Sequence, residues 1–204
     1  VQPEKSGNNA MATIGVMCHE FGHNLGAPDY YDTDYEENGE YTGTGNWDIM
    51  AGGSYNNSGR TPAHHNPYTK WKYYEWITPT ELNSKQEVTM LNSAENTTDF
   101  YYYKTPTATD YWLMENRQKI GFDSYVPGHG LLIYHVDEQY INSHDWGNDI
   151  NAGQHQGLYP VCAFASGNPP TNYGNINSAS TPFPGVLGNT EFSDNTTPSS
   201  TSWS

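Results

Sequence analysis

Two histidines stand four residues apart in the stretch "CHEFGH", with Glu20 directly after the first of them. At 3.6 residues per turn, His19 and His23 leave one helix face about 40° apart. Their imidazoles can therefore grip one ion from a single rigid support. Glu20 lies one step round the helix, off the ion but within reach of a water bound to it. Neutral imidazole suits zinc, and two ligands pre-ordered on one helix lower the entropic cost of binding it. The chemistry this pattern can do is hydrolysis. The ion polarises a carbonyl and acidifies water, while Glu20 takes the proton and passes it to the leaving group.

A catalytic zinc takes a third protein ligand and keeps one position open. Gly26 is placed to end the helix and Pro28 to prevent its resumption. Asp29 follows, ten residues after His19, so a sharp turn would return a carboxylate to the ion in the spacing HExxHxxGxxD. Glu36, Glu37 and Glu40 are the alternative source, although they lie in a Gly- and Tyr-rich stretch without helical period. Other polar groups are further candidates. Asp32 and Asp34 could hold calcium or orient a ligand histidine. Asp145, Asn148 and Asp149 in "HDWGNDIN" could hold calcium or form a plain polar loop. His64 and His65 could serve specificity, a second metal or ordinary hydrogen bonding. Glu115 reads as structural, pairing with Arg117.

These groups need elements to carry them. A helical pattern over 11–25 gathers Ile14, Cys18, Phe21 and Leu25 on one apolar face, with Asn8 or Asn9 available as cap. Residues 29–60 form a long polar loop around one tight apolar knot, "NWDIMAGGS", which contains Met50. A second helix is expected over 66–76, with Tyr68, Trp71 and Tyr74 on one face. Then the period switches to strand in "EVTML", "DFYYYKT", "DYWLMENRQ", "HGLLIYHVD" and "GLYPVCAFA". From about residue 166 an extended tail follows, anchored by Phe183, Phe192 and Trp203. The expectation is an α+β chain: a helical catalytic part over 1–80, and an all-β, sandwich-like unit with its tail over 81–204.

Composition narrows the partners. A net charge of -15 with 8 Lys+Arg offers no basic face for nucleic acid. No apolar run is long enough to span a bilayer. The acidic, Asn- and Gly-rich surface suits calcium or simple solvation. The Tyr, Asn, Ser and Thr content with little Lys resembles exported bacterial proteins. Cys18 and Cys162 sit in apolar surroundings and read as buried free thiols.

Three stretches, "CHEFGHNLGAPDYYD", "GTGNWDIMAGGSYN" and "HHNPYTKWKYYEWITP", resemble the immune inhibitor A-type bacterial metallopeptidases, relatives of the metzincins. "YWLMENRQKIGFDSYVPGHGLLIYHVDE" resembles the β-unit that follows the catalytic domain in that family. The resemblance implies His19, His23 and Asp29 as zinc ligands, Glu20 as base and Met50 as the methionine of a tight turn beneath the metal. It departs from the wider metzincins in its Asp ligand and in lacking a Tyr two residues after Met50. It implies a secreted or cell-surface zinc endopeptidase acting on protein or peptide substrates. It also implies an upstream sheet that ten residues cannot supply. On that reading the chain is the metal side of a catalytic domain, its partner the N-terminal part of the same precursor, and isolation would weaken zinc binding and cleavage. The competing reading is a non-catalytic β-module that docks proteins or glycans.

Overall fold

A computed structural model describes residues 5, 11–35, 39–107 and 109–203. Helix α1 spans Ile14–Asn24, a single distorted turn α2 spans Asn56–Gly59, α3 spans Pro67–Lys72 and α4 spans Glu138–His144. The strands are β1 Thr80–Glu81, β2 Tyr101–Lys104, β3 Asp110–Arg117, β4 Gly130–Asp137 and β5 Leu158–Pro160. They form one five-stranded sheet in the order β1-β2-β3-β4-β5. β1 runs parallel to β2 and the other pairs are antiparallel. β3 and β4 pair along their whole length, from Asp110 opposite Asp137 to Arg117 opposite Gly130. The α+β class is therefore as expected.

Side chains alternate across a strand, so this sheet serves two cores. One face sends Tyr111, Leu113, Leu132, Tyr134, Val136 and Leu158 into a core shared with Tyr30, Trp47, Met50 and Tyr68. That core draws on residues from both sides of residue 80. The other face sends Trp112, Ile133 and Tyr159 against Val161 and Phe183, with Phe192 and Trp203 packed alongside. The three tail anchors thus lie where the sequence suggests. Leu113, Leu132 and Val136 are fully buried. Each contributes roughly 1.5–3 kcal/mol by the area removed from water.

Several expectations need correction. Among the described residues the strands form one sheet, covered on both faces by loops and tail. "EVTML" forms no strand: Val88 and Leu91 are exposed, and pairing is limited to a bridge from Asn92 to Asn116. The physical reason is that β2 and β4 already occupy both edges of β3 as far as Met114. The second helix stops at Lys72, capped at its start by the Asn66 side chain, which accepts from the Thr69 N–H. The first helix starts at Ile14 after Thr13, and Asn8 and Asn9 lie outside the described residues.

The largest departure concerns the apolar face of α1. An amphipathic helix normally turns that face to the core. Here Ile14, Phe21 and Leu25 are 41%, 61% and 41% exposed, and Cys18 is exposed while Cys162 is buried. α1 instead docks through its glycines. A Cβ on Gly15 would fall 1.9 Å from the Ser54 carbonyl oxygen, and one on Gly22 would fall 2.4 Å from Met50 Sδ. Backbone contact at these two points brings α1 down onto the 3-10 segment Gly52–Tyr55 and onto Met50.

Candidate metal centre

α1 ends in a Schellman motif that builds part of the site. Gly26 takes a positive φ of 101°, which a side chain would resist. Its N–H donates to the His23 carbonyl, and the Ala27 N–H reaches back to the Gly22 carbonyl. The turn leaves the Ala27 carbonyl 2.8 Å from His23 Nδ1. The Ile49 carbonyl, from the segment entering Met50, lies 2.8 Å from His19 Nδ1. With both Nδ1 atoms donating to carbonyls, both Nε2 atoms keep lone pairs and face each other at 3.2 Å. These carbonyls orient the two rings, the task considered above for Asp32 and Asp34.

Asp29 completes a triangle. Its Oδ1 lies 3.1 Å from His19 Nε2 and 3.4 Å from His23 Nε2. Metal–ligand bonds of about 2.0–2.1 Å in a tetrahedral site put neighbouring ligand atoms about 3.3–3.4 Å apart. The three atoms, 3.1, 3.2 and 3.4 Å apart, lie within a few tenths of an ångström of that spacing. Asp29 is buried, and while both imidazoles are neutral, with their protons on Nδ1, its Oδ1 has no hydrogen-bond donor. A buried acceptor without a donor is costly unless a cation serves it. Two imidazoles and a carboxylate with one open direction fit zinc. Among the described residues this is the group of His, Cys, Asp or Glu side chains that could hold a metal.

Electrostatics follow from the same contacts. Burial works against a charge on His19, but the hydrogen bond to Asp29 and the Ile49 carbonyl outweigh it, so its pKa is raised. Burial would also raise Asp29. Hydrogen bonds from His19 and Asn148, with the imidazole charges, outweigh it and hold the carboxyl below its usual range. A metal must displace the proton shared here, so metal affinity falls in acid.

Glu20 is exposed and, with His19, lines a cleft of about 640 Å³. Tyr31, Tyr41 and Tyr55 form other parts of its wall. Burial and the nearby Asp29 charge push the Tyr31 phenol up to about 12, leaving it a hydrogen-bond donor at neutral pH. Met50 is fully buried, its sulfur against Gly22 between the two histidines in sequence. Asp48 holds the turn that carries it. One Asp48 oxygen accepts from the Met50 and Asn66 N–H groups, the other from the Thr44 hydroxyl and the Asn66 amide.

The remaining candidates stand apart. Glu36 and Glu37 lie outside the described residues, and Glu40 is on the cleft wall but not in the triangle. Asp32 accepts from the Asp34 and Tyr41 N–H groups and closes its own loop. Asp145 hydrogen-bonds Tyr73, and Asn148 is turned onto Asp29. Asp149 joins no metal-type cluster among the described residues. Among the described residues neither place gathers a metal-type cluster, so calcium gains no support at either. Glu115 does pair with Arg117, which also binds Asp123, and all three side chains are fully buried. Sequence reasoning missed the parts played by Gly22, Asp48 and Asn148. Spacing carries no signal of a contact between residues 29 and 148.

His64 and His65 line a separate cavity of about 330 Å³ with Ile14, Cys18 and Ile49. Burial, then the Lys70 charge, lowers His65 to about 3. Unfolded, it would titrate near 6.5. Between those values the unfolded chain holds a proton that the folded chain refuses. His65 therefore contributes stability above about pH 6.5 that is lost as pH falls toward about 3, by up to about 1.4 kcal/mol per unit. Replacing His65→Phe should flatten the slope of unfolding free energy against pH between about 4 and 6 by as much as one proton. An unchanged slope in urea titrations would rule this out.

Known proteins resemble the same region. Residues 3–77 match the family described as immune inhibitor A peptidase M6, catalytic domain. Over 59 residues the chain is 44% identical to immune inhibitor A of Bacillus thuringiensis subsp. alesti, covering 28% of this chain and 8% of that protein. Over 102 residues it is 34% identical to the pre-pro-metalloprotease PrtV of Vibrio cholerae serotype O1, covering 42% of this chain and 10% of that one. The chain thus spans about a tenth of the length of these curated relatives. No solved structure gives a significant match. At the level of family, residues 3–77 are of metallopeptidase type, as the motifs suggest.

Proposed function

We propose that this chain carries the zinc-binding side of a secreted bacterial endopeptidase. The observation that carries the reading is the triangle of His19 Nε2, His23 Nε2 and Asp29 Oδ1, with the donorless Oδ1 at its corner and Glu20 on the adjoining cleft. A zinc ion held there supplies Lewis acidity to a peptide carbonyl and to water. Glu20 takes the proton of the attacking water and delivers it to the leaving amine. The Ile49 and Ala27 carbonyls keep both imidazoles aimed, and Met50 fills the space beneath them. The tyrosine-lined cleft receives the polypeptide. Export is supported by the name of one relative, a pre-pro-metalloprotease, and both relatives are bacterial. Among the described residues no helix is long and apolar enough to cross a membrane.

The expected result is one zinc per chain, lost in His19→Ala. Removal of the metal with phenanthroline should abolish hydrolysis of unfolded casein, and added zinc should restore it. Cleavage that survives complete metal removal would defeat the proposal. A zinc-free protein with its fold intact would favour the docking-module reading.

A further inference from the structure

The loop after α4 reaches the metal centre from the far side of the sequence. The Asp29 N–H donates to Asn148 Oδ1 at 2.7 Å, and Asn148 Nδ2 donates to Asp29 Oδ2 at 2.7 Å. One amide thus holds both the backbone and the side chain of Asp29. The loop is itself tied down. The Asn148 N–H donates to the Asp145 carbonyl, the Asp149 N–H donates to the His144 carbonyl, and the Thr33 hydroxyl donates to the Asn148 carbonyl at 2.7 Å. Asn148 takes a φ of 54°, which asparagine tolerates better than most residues. It lies outside residues 3–77, so the family match does not cover it.

Resting on the zinc reading above, we propose that Asn148 is a positioning residue that makes Asp29 a one-oxygen ligand. A free carboxylate can turn about its Cβ–Cγ bond and offer either oxygen or both. Here Oδ2 is engaged by the Asn148 amide, while Oδ1 is left donorless and faces the two imidazoles. The amide therefore decides which oxygen meets the ion. It also prevents the carboxylate from filling a second coordination position, which keeps one open for substrate and water.

The test uses the full chain and zinc itself, measured by chelator competition. Asn148→Gly keeps the positive φ and removes the amide. Asn148→Asp keeps an acceptor for the Asp29 N–H but replaces the donor to Oδ2 with a negative charge. Both should weaken zinc binding by about 10–100-fold, the usual cost of losing a hydrogen bond to a metal ligand. Both metal-free variants should still melt cooperatively, Asn148→Asp at the lower temperature because two carboxylates then face each other. The visible spectrum of the cobalt-substituted Asn148→Gly protein should also change, reporting altered coordination. Wild-type affinity and spectrum in both variants, with binding lost in His19→Ala, would overturn the proposal alone. Should Asn148→Gly not fold, Asn148→Asp decides by the same criterion. A His19→Ala protein that binds zinc like wild type would remove the zinc reading, and this inference with it.

Discussion

Glu20→Gln is expected to lower casein hydrolysis by about 10²–10⁴-fold while leaving zinc content and melting temperature near wild type. The substitution preserves length and shape. It removes only the ability to accept and return a proton. Glu20 is exposed on the cleft wall, so its loss should cost at most about 0.5 kcal/mol of stability. The rate loss corresponds to roughly 3–6 kcal/mol of barrier, at about 1.4 kcal/mol per factor of ten. It should fall on kcat, because proton transfer occurs after substrate is bound. His19→Ala differs: there the metal goes together with the activity. Equal turnover in Glu20→Gln and wild type would mean that Glu20 is not the base, whatever the metal content.

Arg117→Met should be the most damaging single change to stability, at about 3–5 kcal/mol. The guanidinium donates to Glu115 at 3.0 Å, to Asp123 at 2.7 Å and to the Trp47 carbonyl at 2.9 Å, all without solvent access. Removing it strands two carboxylates in a dry interior. Lys70, buried and in the electrostatic range of both, offsets part of that charge and favours the lower end of the range. The Trp47 contact also ties β3 to the segment that carries Asp48 and Met50, so zinc affinity should fall as well. If stranded charge is the cause, adding Glu115→Gln and Asp123→Asn to Arg117→Met should recover most of the loss. Urea unfolding of the metal-free chain measures each step. A loss below about 1 kcal/mol in Arg117→Met would contradict the argument.

Much of this candidate centre is legible in the residue order. Histidines four apart on a helix must share a face, and a glycine followed by an aspartate is enough to expect a return of the chain, because both inferences are local. The strands β2 to β5 were legible for the same reason, since side-chain alternation is a near-neighbour property. Sequence patterns failed where the outcome depended on what else was nearby. "EVTML" has strand composition, but only the last residues of β3 leave an edge open, the one not taken by β4. The amphipathic face of α1 is present in the residues, yet burial requires a second surface. In this fold α1 meets the rest of the chain through Gly15 and Gly22 instead.

That His19 and His23 share one helix face, with Glu20 one step round, follows from residue order alone, because helical geometry fixes which side chains meet. Which Asp29 oxygen faces the histidines does not follow from it. That choice belongs to Asn148, brought across 119 residues by the turn after α4. A hydrogen bond between distant residues exists only once the sheet has set where both loops end, and no period in the chain encodes it.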